Sequence, residues 1–253
     1  MGYNIGVRGQ VVDVAKTGYG VNMEGTRIFC IINNSFRGES PPVVGDWVEI
    51  SKVEDQFFII DFNERKNFLG RYDPYKNRVQ GLAANVDWMI VVTSANREFS
   101  VNRINRFFTL AGQQQINLAI ILTKIDLCKD ITKFTKDLED EFPDVPIIKM
   151  NALTEKEVHK IYDLVGEGES VLLVGSSGVG KTTIINTMTG LQLRTLPTKT
   201  GKFQDHGKHT TSARTLYPTD NGRKVIDIPG IKIVEPIPEN MNYIKATRKE
   251  RFR

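Results

Sequence analysis

This 253-residue chain holds only two cysteines, Cys30 and Cys128, and only three histidines. Two thiols that fall in separate predicted domains exclude a disulfide framework and fit a reducing compartment. No apolar run approaches the ~20 residues that a membrane span requires. The N-terminus Met1-Gly2-Tyr3-Asn4-Ile5-Gly6 lacks the apolar stretch of a signal peptide, and Gly6-Val7 does not supply the Ser/Thr that myristoylation of Gly2 would need. Charge of either sign is scarcely in excess, with 34 Lys+Arg against 30 Asp+Glu. These absences read as a soluble, cytoplasmic chain with no membrane association. Its 40% hydrophobic content is enough for one good-sized core and a smaller second one.

The small positive balance is unevenly placed. Acid and base cancel over residues 1–80 and nearly cancel over 81–235, so the excess lies in residues 236–253. There Lys245, Arg248, Lys249, Arg251 and Arg253 crowd together, a density that suits contacts to RNA phosphates and equally suits a solvated terminus. A second basic stretch, Arg194, Lys199, Lys202, Lys208 and Arg214, includes His206 and His209. It reads either as a solvated loop or as a switch that orders around a bound nucleotide.

The strongest positive signal is Gly175-Ser176-Ser177-Gly178-Val179-Gly180-Lys181-Thr182. The apolar run Val171-Leu172-Leu173-Val174 predicts a buried strand before it, and Thr183-Ile184-Ile185-Asn186-Thr187-Met188 starts a helix after it. Glycines let such a turn wrap a phosphate in backbone N–H groups at the positive end of the helix. Lys181 would then reach the β- and γ-phosphates and Thr182 would ligate Mg²⁺. The bland alternative is a glycine-rich surface turn that happens to end in Lys-Thr.

A second motif reads the base. Leu118-Ala119-Ile120-Ile121-Leu122 predicts another buried strand, and Thr123-Lys124-Ile125-Asp126 follows it. The Asp126 carboxylate can accept two hydrogen bonds from the ring N–H and amino group of guanine, a donor pair that adenine lacks. Taken alone, the same residues could be a surface turn capping the next helix. Asn151 and Ala152, after the predicted strand Val145–Met150, sit where a backbone N–H would meet the guanine carbonyl. Lys224-Val225-Ile226-Asp227-Ile228-Pro229-Gly230 is a strand ending in Asp-x-Pro-Gly, with Asp227 available to the Mg²⁺ shell and the Gly230 N–H to a γ-phosphate. Between them, Gly207-Lys208-His209-Thr210-Thr211 has the hydroxyls of a loop that closes over the metal, with Thr211 as a further ligand. The order along the chain is base, base, phosphate, switch, switch. It inverts the usual order and points to a GTP-binding protein of a permuted kind.

With these motifs the chain resembles the circularly permuted ribosome-biogenesis GTPases of the RsgA (YjeQ) type. The resemblance also rests on Gly81-Leu82-Ala83-Ala84-Asn85-Val86-Asp87, Asn102-Arg103-Ile104-Asn105-Arg106-Phe107 and Val44-Gly45-Asp46-Trp47-Val48, and covers about residues 5–235. It implies a cytoplasmic GTPase that acts late in maturation of the small ribosomal subunit, binds the subunit and its rRNA near the decoding region, and is stimulated by it. Members usually carry a C-terminal zinc module with several Cys and a His. This chain has no Cys beyond Cys128 and runs 23 residues past Gly230, so no zinc site is expected. Thr123 stands for the commoner Asn and Asn151 for the commoner Ser.

The expected architecture is α/β: a five-stranded OB-fold β-barrel over residues 1–66, a polar linker over 67–82, a circularly permuted P-loop GTPase domain with a mostly parallel sheet over 83–235, and a basic tail over 236–253. Barrel strands are predicted at Gly6–Val14, Gly18–Met23, Thr26–Ile32, Asp46–Val53 and Gln56–Asp61, with Trp47, Phe57 and Phe58 as core rather than base-stacking residues. The rest alternates strand and helix, including a helix over Glu155–Val165. A monomer is expected.

Catalysis poses a specific problem. Many GTPases place a water-orienting glutamine directly after Asp-x-x-Gly, but here that residue is Ile231, which cannot polarise water. His209 is the candidate substitute, being titratable near neutral pH and set in the predicted switch; contact with RNA phosphate or packing within the loop are the alternatives. Two broader alternatives stand beside a GTP hydrolase: a GTP-gated RNA- or ribosome-binding module with negligible hydrolysis, and an ATP-dependent kinase built on the same loop.

Overall fold

The computed structural model describes residues 6–32, 40–73, 78–112, 114–193 and 214–228. Strands β1 (Val7–Val14), β2 (Tyr19–Met23), β3 (Thr26–Ile32), β4 (Trp47–Val53) and β5 (Gln56–Phe62) pair in the order β1-β2-β3-β5-β4, and β4 returns to β1 from Val7↔Ile50 to Gln10↔Trp47. The circuit is a closed barrel of OB type, with strands at the predicted positions. Alternating residues Val11, Val21, Cys30, Val48, Ile50 and Ile59 fill its interior. Trp47, Phe57 and Phe58 are half-buried, with Phe57 packed against this core. Arg8 and Lys224 lie over the Trp47 ring at 4.3 and 5.5 Å, and Lys52 lies over Phe57 at 5.3 Å, so cationic side chains cover these two rings from the water side.

Where the sequence predicts a polar linker over 67–82, the chain forms a hairpin of β6 (Phe68–Asp73) and β7 (Arg78–Ala84). Its inner end is apolar: Phe68, Leu69, Leu82, Ala83 and Ala84 are all buried, and Val44 bridges to Ala83. The interleaved Arg71, Asp73 and Arg78 mask that pattern in the sequence.

The second part contains β8 (Trp88–Ser94), α1 (Val101–Ala111), β9 (Asn117–Thr123), α2 (Thr132–Glu141), β10 (Ile147–Lys149), α3 (Glu155–Val158), β11 (Ser170–Gly175), α4 (Lys181–Thr189), β12 (Arg214–Pro218) and β13 (Lys224–Asp227). Its strand order is β10-β9-β8-β11-β13-β12, parallel except for β12. Both faces are covered, which is why the strands are apolar throughout. Met89 and Val91 pack with Ile104, Phe107 and Leu138 on one side, while Ile90 and Val92 pack with Ile184, Ile185 and Met188 on the other. The helix predicted over Glu155–Val165 is a single α-turn that tightens into a 3-10 segment at His159–Asp163. Strand β10 is shorter than predicted, although its flanks still pair with β9: the Ile120 N–H donates to Pro146 O at 2.9 Å and the Met150 N–H to Leu122 O at 3.0 Å.

One pairing joins the two parts. β1 gives Val7–Gln10 to β4 and then Asp13 and Val14 to Thr215 and Arg214 of β12, so barrel and parallel sheet form one continuous eleven-stranded sheet. The Arg214 side chain extends the seam by donating to Gly81 O of β7 at 2.7 Å.

Candidate functional site

The loop from Gly175 to Gly180 leaves the C-terminal end of β11 and enters α4 directly. A Cβ at Gly175 would collide with the carbonyl oxygen of Val92, so only glycine lets the turn press against β8. Gly180 has φ 107 and caps α4 without any side-chain hydrogen bond, so among the described residues the N–H groups of Lys181, Thr182 and Thr183 stand open at the positive helix end. Ser176, Ser177, Gly178 and Val179 complete the loop, with the Val179 side chain buried beneath it.

The Lys181 ammonium folds back over this turn, donating to Gly175 O at 2.9 Å and Ser176 O at 2.6 Å. Burial lowers the Lys181 pKa, and the nearby Asp227 carboxylate opposes that shift. Asp227 ends β13, level with Leu173 of β11, and burial raises its pKa against the opposing charge of Lys181. Its carboxylate accepts no hydrogen bond among the described residues. A half-buried carboxylate that accepts no hydrogen bond among the described residues, beside the hydroxyl-bearing first turn of α4, is a donor set that fits a hard, oxygen-seeking cation such as Mg²⁺.

The residues predicted to read the base stand on and after the adjacent strands. Thr123, fully buried at the end of β9, places its hydroxyl 2.6 Å from Val179 O and 3.0 Å from Thr93 O. A hydroxyl has one proton, so the shorter contact takes it and ties β9 to the phosphate loop. Lys124 then turns left-handed at φ 58 and delivers Asp126, exposed, into an open cleft of about 490 Å³ that Asn151 also lines. The Asp126 carboxylate is free among the described residues. Asn151 and Ala152 follow β10, so the two base-reading segments and the phosphate loop converge at the C-terminal ends of β9, β10 and β11. That is the binding edge of an open α/β sheet.

Of the sequence-predicted residues, His209, Thr210, Thr211 and Gly230 lie outside the described residues, as does the basic tail. The structure adds three that sequence reasoning missed. Thr93, in β8, sets its carbonyl oxygen 3.0 Å from the Thr123 hydroxyl. Arg103, on the first turn of α1, donates to Ser176 Oγ at 2.7 Å and Glu98 O at 2.9 Å. Glu157 accepts the Asn151 N–H at 2.6 Å. Two of them left a trace in the sequence: Arg103 within the Asn102–Phe107 motif, and Glu157 in a Thr-x-x-Glu helix-start spacing after Asn151-Ala152-Leu153.

A closed five-stranded barrel, followed by a parallel sheet whose base-reading loops precede its phosphate loop, defines the fold of a circularly permuted GTPase. A family profile described as RsgA GTPase matches residues 62–236. The chain belongs to the RsgA GTPase family. It is similar to Small ribosomal subunit biogenesis GTPase RsgA 2 of Vibrio parahaemolyticus, 29% identical over 236 residues that cover 92% of this chain and 63% of that protein. It is also similar to the RsgA 2 of Lactiplantibacillus plantarum, 34% identical over 207 residues, covering 81% of this chain and 58% of that one. Among solved structures it resembles YjeQ from Thermotoga maritima, with a TM-score of 0.68 and 28% identity over 90% of this chain and 76% of the other. The chain spans about three fifths of the length of the curated relatives named here.

Proposed function

We propose that this chain binds GTP with Mg²⁺, hydrolyses it to GDP and phosphate, and acts in late maturation of the small ribosomal subunit. The observation that carries the nucleotide reading is the bond from Thr123 to Val179 O, which joins the guanine-reading strand to the phosphate loop in one rigid unit. Family membership supports the ribosomal role, with the subunit and its rRNA as partners and stimulators of hydrolysis, in the cytoplasm, by a monomer.

In this reading Asp126 takes the N1–H and amino group of guanine, and the loop at Asn151–Ala152 takes its carbonyl. Lys181 exchanges the carbonyls of Gly175 and Ser176 for the β- and γ-phosphates. That exchange satisfies a half-buried ammonium with a stronger partner. Thr182, Asp227 and Thr211 would hold the Mg²⁺, which when bound neutralises charge on the phosphate oxygens. Gly230 senses the γ-phosphate through its N–H, and His209, with Thr210 beside it, orients the attacking water in place of the glutamine that Ile231 cannot replace.

Phosphate release measured with and without purified small subunits tests the enzyme reading. Release that rises with the subunit supports it, while GTP binding without release under either condition supports the GTP-gated binding module instead. Loss of subunit-stimulated hydrolysis in His209→Ala, with GTP binding retained, supports the water-orienting role. For base choice, Asp126→Asn should lose preference for GTP and gain xanthosine triphosphate, whose C2 carbonyl accepts from an amide. Unchanged nucleotide preference in that variant would return the ATP-dependent reading.

A further inference from the structure

We infer that Glu157 is a specificity-determining positioning residue, which fixes the 151–153 loop so that one N–H, that of Ala152, faces the carbonyl oxygen of guanine. The inference rests on the guanine reading above and adds to it a residue outside the base-reading motifs.

The argument comes from the hydrogen-bond inventory of three successive residues. The Asn151 N–H donates to Glu157 Oε2 at 2.6 Å, and the Leu153 N–H donates to Asn151 Oδ1 at 3.0 Å. Between them the Ala152 N–H has no partner among the described residues. Buried backbone donors are almost always paired, so an open donor on buried Ala152, between two used donors and next to Asn151 of the cleft that Asp126 lines, is a place for a ligand acceptor. The Asn151 carbonyl is also committed, to the Thr154 N–H at 3.0 Å. The donors on both sides of Ala152 and the Asn151 carbonyl are thus spent on orienting the turn.

A purely structural role for Glu157 would look different. Thr154 precedes α3 at its N-cap, and Glu157 stands three residues on, the spacing of a capping box. In a capping box the glutamate returns to the N–H of the cap residue and the threonine hydroxyl caps the helix. Here Thr154 makes no side-chain cap bond, its N–H is used by Asn151 O, and Glu157 reaches past it to the base-reading loop. The carboxylate is diverted from holding its own helix to holding the loop, and it lines the same cleft as Asp126 and Asn151.

The test is nucleotide binding by the full chain and its Glu157→Ala and Glu157→Gln variants, using GDP, 6-thio-GDP and IDP. 6-Thio-GDP keeps the N1–H and amino donors read by Asp126 and replaces the carbonyl oxygen with a weaker acceptor; IDP keeps the oxygen and drops the amino group. Glu157→Ala is expected to reduce the preference for GDP over 6-thio-GDP by about tenfold, the scale of one hydrogen bond, with the GDP over IDP preference unchanged. Glu157→Gln keeps an acceptor oxygen at the same reach and should restore the first ratio to within about threefold of the parent. A general loss of structure would lower all three affinities together and would overturn the assignment, as would a Glu157→Ala variant with the parent's ratio. A parent chain that binds none of the three nucleotides would overturn the guanine reading itself, and this inference with it.

Discussion

Arg65 and Asp46 form a two-pronged ion pair with both side chains shut away from water, Nε to Oδ1 and Nη2 to Oδ2 each at 2.7 Å. Phe62 and Phe68 sandwich the guanidinium at 4.8 and 4.6 Å, and Asp46 also accepts the Val43 N–H. The pair pins the segment after β5 to the barrel, at the point where the chain crosses to the hairpin. Breaking a buried pair strands a charge, so Arg65→Met should lower unfolding stability by about 3–5 kcal/mol, and Arg65→Met with Asp46→Leu should recover much of it. Urea unfolding of the two variants measures both.

Thr123 offers a sharper test of the site. Thr123→Val keeps the shape and removes the hydroxyl, leaving Val179 O without its 2.6 Å donor. Affinity for GDP should fall by about tenfold because the phosphate loop loses its tie to β9. Calorimetric titration measures it, and an unchanged affinity would show that the two loops bind independently.

The raised pKa of Asp227 carries a definite pH signature. Between the ordinary carboxylate value of about 4 and the raised folded value, the folded chain holds a proton that the unfolded chain releases. Stability of the nucleotide-free protein therefore falls as pH rises through that window. In Asp227→Asn this contribution is absent, so its advantage over the parent in urea midpoint should grow with pH and then level off. A constant difference across the window would contradict the burial that causes the shift.

The two cysteines should behave oppositely. Burial in the barrel pushes the Cys30 thiol up to about 11, whereas Cys128 is partly exposed and lines the same cleft as Asp126. Iodoacetamide near pH 8 should label only Cys128. Saturating GDP should slow that labelling by about an order of magnitude, through occupancy of the cleft; peptide mass spectrometry reads both effects.

Much of this architecture could be read before any coordinates, for physical reasons that differ by element. β9 and β11 were legible because strands buried on both faces are unbroken apolar runs, and the phosphate loop because its glycines answer a steric demand, as Gly175 against Val92 O shows. The hairpin β6–β7 was hidden because its outer half is charged. Arg103 and Glu157 could not be foreseen as site residues, since each acts across a fold contact, on Ser176 and on the Asn151 N–H. The opposite case is Thr123, which in the sequence is only a substitute for the commoner Asn but in the fold braces the loop at Val179.

The sharing of β1 between two neighbours also sets an order of assembly. On a chain made from its N-terminus, every strand of the barrel exists once residue 62 has emerged, whereas β12 waits until residues 63–213 have followed. The barrel can close on local pairings while Asp13 and Val14 still offer an open edge, and closing such local contacts is fast compared with distant ones. β12 then docks on a template already in register, Asp13 to Thr215 and Val14 to Arg214. Because this late strand immediately follows the segment expected to close over the nucleotide, the seam made last in synthesis is also the seam through which a pull on that segment would reach the finished barrel.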